Sequence, residues 1–172
     1  MDTALITFLL ELAIKFSGLP SMAVEQLPSF ERVSRAEMHH TVCPESQADH
    51  GCAGIMAVFD TERNRILYLD TLDLEKPADN SFLLHEIVHA LQYRQHGTAI
   101  YADCAALLAT EQQAYAAQNA YLRREGVFMR VGEVLRYTTC APPAGTVAAH
   151  ANDTRGSARV SVAGSLTQAA GP

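Results

Sequence analysis

Two histidines four residues apart, His85 and His89, lie in a segment with the signals of an α-helix. Residues 81–96 carry apolar side chains at helical spacing, and Gly97 follows at a position where helices commonly end. In a helix, side chains four residues apart lie one turn apart on the same face, so both imidazoles can reach a single metal ion. The chain is therefore expected to form this helix and to bring further polar groups to its histidine-bearing face.

Glu86 follows the first histidine and completes the pattern H-E-x-x-H. From this position a carboxylate can reach a water on the ion rather than the ion itself, which is the position of a general base. In a shuffled sequence of this composition the pattern is expected about 0.02 times. The other interpretation, a surface helix that happens to carry two histidines, is therefore disfavoured.

In the rest of the chain, the spacing of apolar residues predicts an α+β fold with two further helices and three strands. A short final element is either a strand or a helical turn. Asp79 or Asn80 is expected to cap the H-E-x-x-H helix. The helix that follows it is rich in alanine, so another helix can approach it closely. The expected bounds are residues 3–16 and 103–125 for the helices, 30–33, 54–60 and 65–70 for the strands, and 131–139 for the final element.

The composition changes at Ala141. Of the last 32 residues, 22 are Ala, Gly, Pro, Ser or Thr and none is aromatic, so this part cannot bury much apolar surface. We expect residues 1–140 to form one domain and residues 141–172 to form a flexible tail. The net charge of −6 argues against a nucleic-acid binder. No apolar run is long enough to span a bilayer.

Four cysteines permit three disulfide pairings. The simplest joins Cys43 to Cys52 across a short loop and leaves Cys104 to pair with Cys140. No C-x-x-C pattern supports a metal site at these residues. Disulfides predict an exported protein, periplasmic or secreted. Charged residues interrupt the apolar stretch at 3–16, which predicts a mature helix, and any export signal would have been removed before this numbering begins.

The H-E-x-x-H pattern resembles that of the zincin metallopeptidases, which bind Zn²⁺ and hydrolyse peptide bonds. The metzincin branch would require Gly and His where this chain has Gln92 and Gln95. The gluzincin branch takes a Glu from a second helix, which points to Glu111, 22 residues after the second histidine. The resemblance thus implies a small zincin-like core with one Zn²⁺ ion, the general base Glu86, and the metal ligands His85, His89 and Glu111.

The position of Tyr115 departs from the best-known gluzincins. Thermolysin-like members have an Asp four residues after the Glu ligand, and Tyr115 stands there instead. It can orient a ligand, stabilise the oxyanion of an intermediate, or pack in the core. Asp103 is the alternative third metal ligand, although it can also cap its helix. Gln92 lies close enough to His89 to support it, and the lesser tyrosine candidates are Tyr93, Tyr101 and Tyr121.

The resemblance implies a zinc-dependent peptidase whose peptide or protein substrate lies extended along a strand edge, either residues 54–60 or residues 65–70. Two alternatives remain open. The first is a non-catalytic zinc-binding or interaction module, against which the intact Glu86 argues. The second is a zincin-like hydrolase that acts on a non-peptide amide.

Overall fold

The computed structural model describes residues 2–43 and 54–140. Within these ranges the fold is α+β, as predicted, with four α-helices and one small mixed sheet. The predicted tail, residues 141–172, lies outside the described residues. The helices are α1 (Thr3–Ser17), α2 (Arg35–Val42), α3 (Pro77–His96) and α4 (Cys104–Arg124), and the strands are β1 (Ser29–Val33), β2 (Ala57–Asp60) and β3 (Arg65–Leu69).

β3 is the central strand of the sheet, which has the order β1-β3-β2. It pairs in parallel with β1 and antiparallel with β2, so both of its hydrogen-bonding sides are occupied. Its residues Ile66, Leu67 and Leu69 are fully buried. The expectation that residues 65–70 could receive an extended substrate is therefore wrong. Of the two strands proposed for that role, only β2 lies at an edge.

α3 is the most enclosed helix, since it packs against α1, α4, β2 and β3. Its side chains Leu83, Leu84, Ile87 and Val88 are fully buried. On α4, Ala114 and Ala117 are also fully buried and permit the close approach that the alanine content predicted. Because α3 is covered on so many sides, the polar side chains between Asn80 and Gln92 are buried too, and each needs a hydrogen-bonding partner or an ion.

α3 begins four residues earlier than the sequence predicted, at Pro77. Lys76 is its N-cap, and neither Asp79 nor Asn80 caps it. Proline suits the first helical position because its missing N–H would have no partner within the helix. Asp79 instead accepts a hydrogen bond from the backbone N–H of Asp73 at 2.8 Å, and Asn80 is buried within the helix.

α4 begins after Asp103, whose side chain accepts a hydrogen bond from the backbone N–H of Ala106 at 2.8 Å. Its first residue, Cys104, forms a disulfide with Cys140, which confirms one of the two predicted pairs. Cys52, needed for the other pair, lies outside the described residues. The final predicted element, residues 131–139, contains a 3₁₀-helix at Glu133–Tyr137.

None of the helices in the described ranges is both long and apolar enough to cross a membrane.

Candidate metal centre

α3 and α4 bring the three predicted ligands together. The Nε2 atom of His85 lies 3.3 Å from Oε2 of Glu111, and the Nε2 atom of His89 lies 3.4 Å from Oε1. The two Nε2 atoms are 2.9 Å apart. Ligand atoms about 2.0–2.1 Å from a tetrahedral zinc ion stand about 3.3 Å from one another. The two nitrogen–oxygen separations are close to this value, but they involve different oxygens of Glu111, and the nitrogen–nitrogen separation is shorter. One ligand atom from each residue lies within 4.8 Å of the others, so the group can hold one metal ion.

Gln92 determines which nitrogen of His89 carries a proton. Its Oε1 lies 2.8 Å from Nδ1 of His89, while its amide nitrogen donates to the backbone carbonyl of Thr110 at 3.0 Å. A carbonyl oxygen can only accept, so the amide oxygen of Gln92 must face the imidazole. Nδ1 therefore donates, and Nε2 of the neutral ring directs its lone pair towards the other ligands.

Gln118 does the same for His85. Its Oε1 lies 3.0 Å from Nδ1 of His85, and its amide nitrogen donates to the hydroxyl of Ser81 at 2.9 Å. That hydroxyl donates in turn to the carbonyl of Ala78 at 2.6 Å, which fixes the direction of the whole chain of hydrogen bonds. Gln118 was not among the predicted site residues. The signal was its spacing, since it lies seven residues after Glu111 and thus two turns along the same helix face.

The arrangement favours a positive charge between the ligands. Two buried lone pairs and a carboxylate that face one another would repel each other without a cation. Burial lowers the pKa of His89, but the hydrogen bond and charge of Glu111 outweigh it and raise that pKa to about 9. Burial likewise opposes ionisation of Glu111, yet its hydrogen bonds with both histidines hold its pKa well below the usual range. The donor set therefore fits a divalent metal, with a proton on His89 in its place in the metal-free protein.

We expect zinc binding near neutral pH to release about one proton, because the metal must displace the proton that His89 retains with its pKa of about 9. The apparent zinc affinity should rise about tenfold per pH unit below that pKa and level off above it. Calorimetry in two buffers of different ionisation enthalpy counts the released protons. Zinc binding without proton release at pH 7 would contradict this protonation state.

Glu86 is buried beside the ligands but is not one of them. Its Oε2 accepts a hydrogen bond from the backbone N–H of Phe59 at 2.8 Å. This N–H belongs to β2 and points to α3 rather than to β3, so Glu86 lies against the edge strand β2 on the side away from β3. The predicted base is thus adjacent to the one candidate strand that an extended peptide could join.

The ionisation of Tyr101 is affected by the carboxylates of the centre. It ends the 3₁₀-helix Gly97–Tyr101 between α3 and α4 and is half-buried. Burial raises its pKa to about 12, with smaller contributions from the negative charges of Glu86 and Glu111. Its hydroxyl therefore stays protonated as a hydrogen-bond donor across the neutral range.

The other predicted tyrosines have packing contacts. The ring of Tyr115 packs against His85 with 4.5 Å between centroids. Tyr93 packs against Phe59, and Tyr121 packs against Phe8 of α1. Asp103, the alternative metal ligand, caps α4 and does not belong to the group of three ligands.

Comparison with known proteins gives one match. A family model described as a domain of unknown function (DUF6647) matches residues 16–143, about three quarters of the chain. No curated protein and no solved structure is significantly similar to the chain. The matched range includes the three ligand candidates and Glu86.

Proposed function

The chain belongs to the DUF6647 family, and we propose that it is a zinc-dependent metallopeptidase with His85, His89 and Glu111 as the metal ligands. The observation that carries the proposal is the convergence of two imidazole Nε2 atoms with one carboxylate, each Nε2 lying 3.3–3.4 Å from a carboxylate oxygen. The fixed Nδ1 hydrogen bonds support it, since they direct a lone pair of each neutral ring towards the ion.

A bound Zn²⁺ ion would polarise the scissile carbonyl and lower the pKa of the attacking water. The two histidines bind the ion as neutral imidazoles and Glu111 binds it as a carboxylate. Because Gln92 and Gln118 hold the rings by their Nδ1 protons, the ligands need little rearrangement on binding. A preformed ligand set of this kind is what a catalytic site with an open fourth position requires.

Glu86 is the general base of the proposed reaction. Its Oε2 is held by the N–H of Phe59 at 2.8 Å, and its other carboxylate oxygen accepts the proton of the attacking water. The same carboxyl group then donates that proton to the leaving amine. Tyr101 is our candidate for the hydrogen-bond donor to the oxyanion, because Glu86 and Glu111 contribute, after burial, to the rise in its pKa, which indicates that its phenol is near the centre.

The proposed substrate is an extended peptide or an exposed segment of a protein. β2 has one side paired with β3, and on its other side the N–H of Phe59 is bonded to Glu86. In this proposal the peptide forms main-chain hydrogen bonds with the remaining groups on that side, next to Glu86. Such bonds recognise the backbone rather than particular side chains. We also propose that the protein is exported, since the disulfide Cys104–Cys140 favours an oxidising compartment.

The proposal is tested by incubating the zinc-loaded chain with casein and with a mixed peptide library and identifying products by mass spectrometry. We expect cleavage that a chelator abolishes and that added zinc restores. Bound zinc without cleavage of either substrate would overturn the peptidase proposal. It would favour a zinc-binding module or a hydrolase of another amide.

A further inference from the structure

We propose that residues 131–140 form a strap that positions the metal ligand His85 through the ring of Tyr115. In this proposal Tyr115 and Gly132 are positioning residues, and neither contacts the metal or the substrate. The inference rests on the proposed function only in taking His85 as a metal ligand.

The strap is attached to α4 at both ends. At its start, Asn119 forms two hydrogen bonds with the backbone of Val131, one to its N–H and one to its carbonyl, both 2.9 Å long. At its end, the disulfide joins Cys140 to Cys104 at the first residue of α4. The strap therefore returns along the helix that carries Glu111, from near its C-terminal end to its N-terminal end.

Between these attachments the strap packs on Tyr115. The buried side chains of Val131 and Leu135 form a small apolar cluster with Tyr115 and Leu122. This cluster is separate from the main core, which lies between the sheet and the helices. Its principal contact with the metal centre is the ring of Tyr115 against the imidazole of His85.

Gly132 lies directly against the ring of Tyr115. Its φ of 76° lies in the left-handed region. A Cβ atom added there would lie 2.4 Å from Cγ of Tyr115 and 2.8 Å from both Cδ atoms. These separations are far below contact distance, so any side chain at this position would displace the ring.

Displacement of the ring matters because of how His85 is held. The hydrogen bond from Nδ1 to Gln118 fixes the tautomer, and the ring of His89 packs against the imidazole with 4.6 Å between centroids. The Tyr115 ring, with its plane at 61° to the imidazole and 4.5 Å between centroids, adds a further restraint on the orientation of His85. Without it, the lone pair of Nε2 is no longer directed at the point where Glu111 and His89 converge.

Gly132→Ala tests the strap, and Gly126→Ala is its matched control. Both glycines have a similar positive φ, 76° and 73°, but nothing lies within 4 Å of a Cβ added at Gly126. Both variants therefore carry the same backbone strain, and only Gly132→Ala moves Tyr115. We expect Gly132→Ala to weaken zinc binding about 10- to 100-fold, measured by chelator competition, and to change the visible spectrum of the Co²⁺-loaded protein. We expect Gly126→Ala to match the wild type in both measurements.

Equal zinc affinities and equal Co²⁺ spectra in the two glycine variants would overturn the inference. If Gly132→Ala does not fold, Tyr115→Ala and Tyr115→Phe replace it. Tyr115→Phe keeps the ring and should retain the wild-type Co²⁺ spectrum and zinc affinity. Tyr115→Ala removes the ring and should bind zinc more weakly and change the Co²⁺ spectrum. A spectrum altered equally by Phe and Ala would contradict positioning by the ring. No substrate is used, so these results are independent of whether the protein cleaves peptides.

Discussion

Glu86→Gln is expected to retain one zinc ion per chain and to lose peptide hydrolysis by about 10²–10⁴-fold. Glutamine has nearly the same shape, and its amide oxygen can still accept the hydrogen bond that Phe59 donates at 2.8 Å. Its amide group cannot take a proton from water. Zinc is retained because Glu86 is not one of the three ligands. The measurements are zinc content by mass spectrometry and initial rates on a fluorogenic peptide.

Glu62→Gln is the control for this variant, because it makes the same chemical change at an exposed position in the turn between β2 and β3. It should have wild-type zinc content and wild-type rates. A Glu86→Gln protein that contains zinc and still turns over at the wild-type rate would show that another group removes the proton. That result would leave the metal ligands unchanged and would contradict the role of Glu86 as the general base.

Glu111→Ala is expected to weaken zinc binding about 10²–10³-fold, which corresponds to about a quarter of the roughly 10–16 kcal/mol with which four-ligand structural sites bind zinc. The variant also removes the negative charge that pairs with His85 and His89 at 3.3 and 3.4 Å. Hydrolysis should fall with the zinc content. The pKa of His89 should return towards its ordinary value, since the hydrogen bond and charge of Glu111 are the causes that raise it. Zinc affinity is measured by competition with a chelator.

Asp103→Ala is the matched comparison, because Asp103 is the other acidic residue that the sequence offered as a third ligand. Its side chain caps α4 through the N–H of Ala106. Removal of the cap should cost about 1 kcal/mol of stability and leave zinc binding intact. Loss of zinc from Asp103→Ala alone, with zinc retained in Glu111→Ala, would overturn the ligand assignment.

The sequence predicted the parts of the fold that local spacing determines. The H-E-x-x-H helix and the alanine-rich helix are both present, and a short connection between them brings Glu111 to the two histidines. The start of α3 was missed because Pro77 was interpreted as part of a connector rather than as a first helical residue. The order of the strands depends on a parallel pairing between distant segments, β1 and β3, that no local pattern reveals.

α2 was not predicted at all. Only Met38 of its eight residues is buried, with Val42 partly buried four residues later, so its apolar pattern is too short to indicate a helix. A capping signal was present, since Ser34 is followed three residues later by Glu37, whose N–H donates to the Ser34 side chain at 3.2 Å. Short helices of this kind are recognised by their caps rather than by their apolar faces.

The ligands of the candidate site followed from the sequence, but the groups that support them did not. Gln118 and Phe59 contact His85 and Glu86 only because α4 and β2 both pack on α3. Such contacts join residues 27 and 33 positions apart. Spacing along one helix could have indicated Gln118, whereas the hydrogen bond from Phe59 depends on the position of the sheet edge.

The coordination sphere of the zinc-loaded protein tests the central claim most directly. A crystal structure of that protein, checked by X-ray absorption at the zinc edge, would count the ligands. We expect three from the protein, namely Nε2 of His85, Nε2 of His89 and the carboxylate of Glu111, with the fourth position open to water. A fourth protein ligand, or a ligand set that excludes Glu111, would contradict a catalytic zinc site.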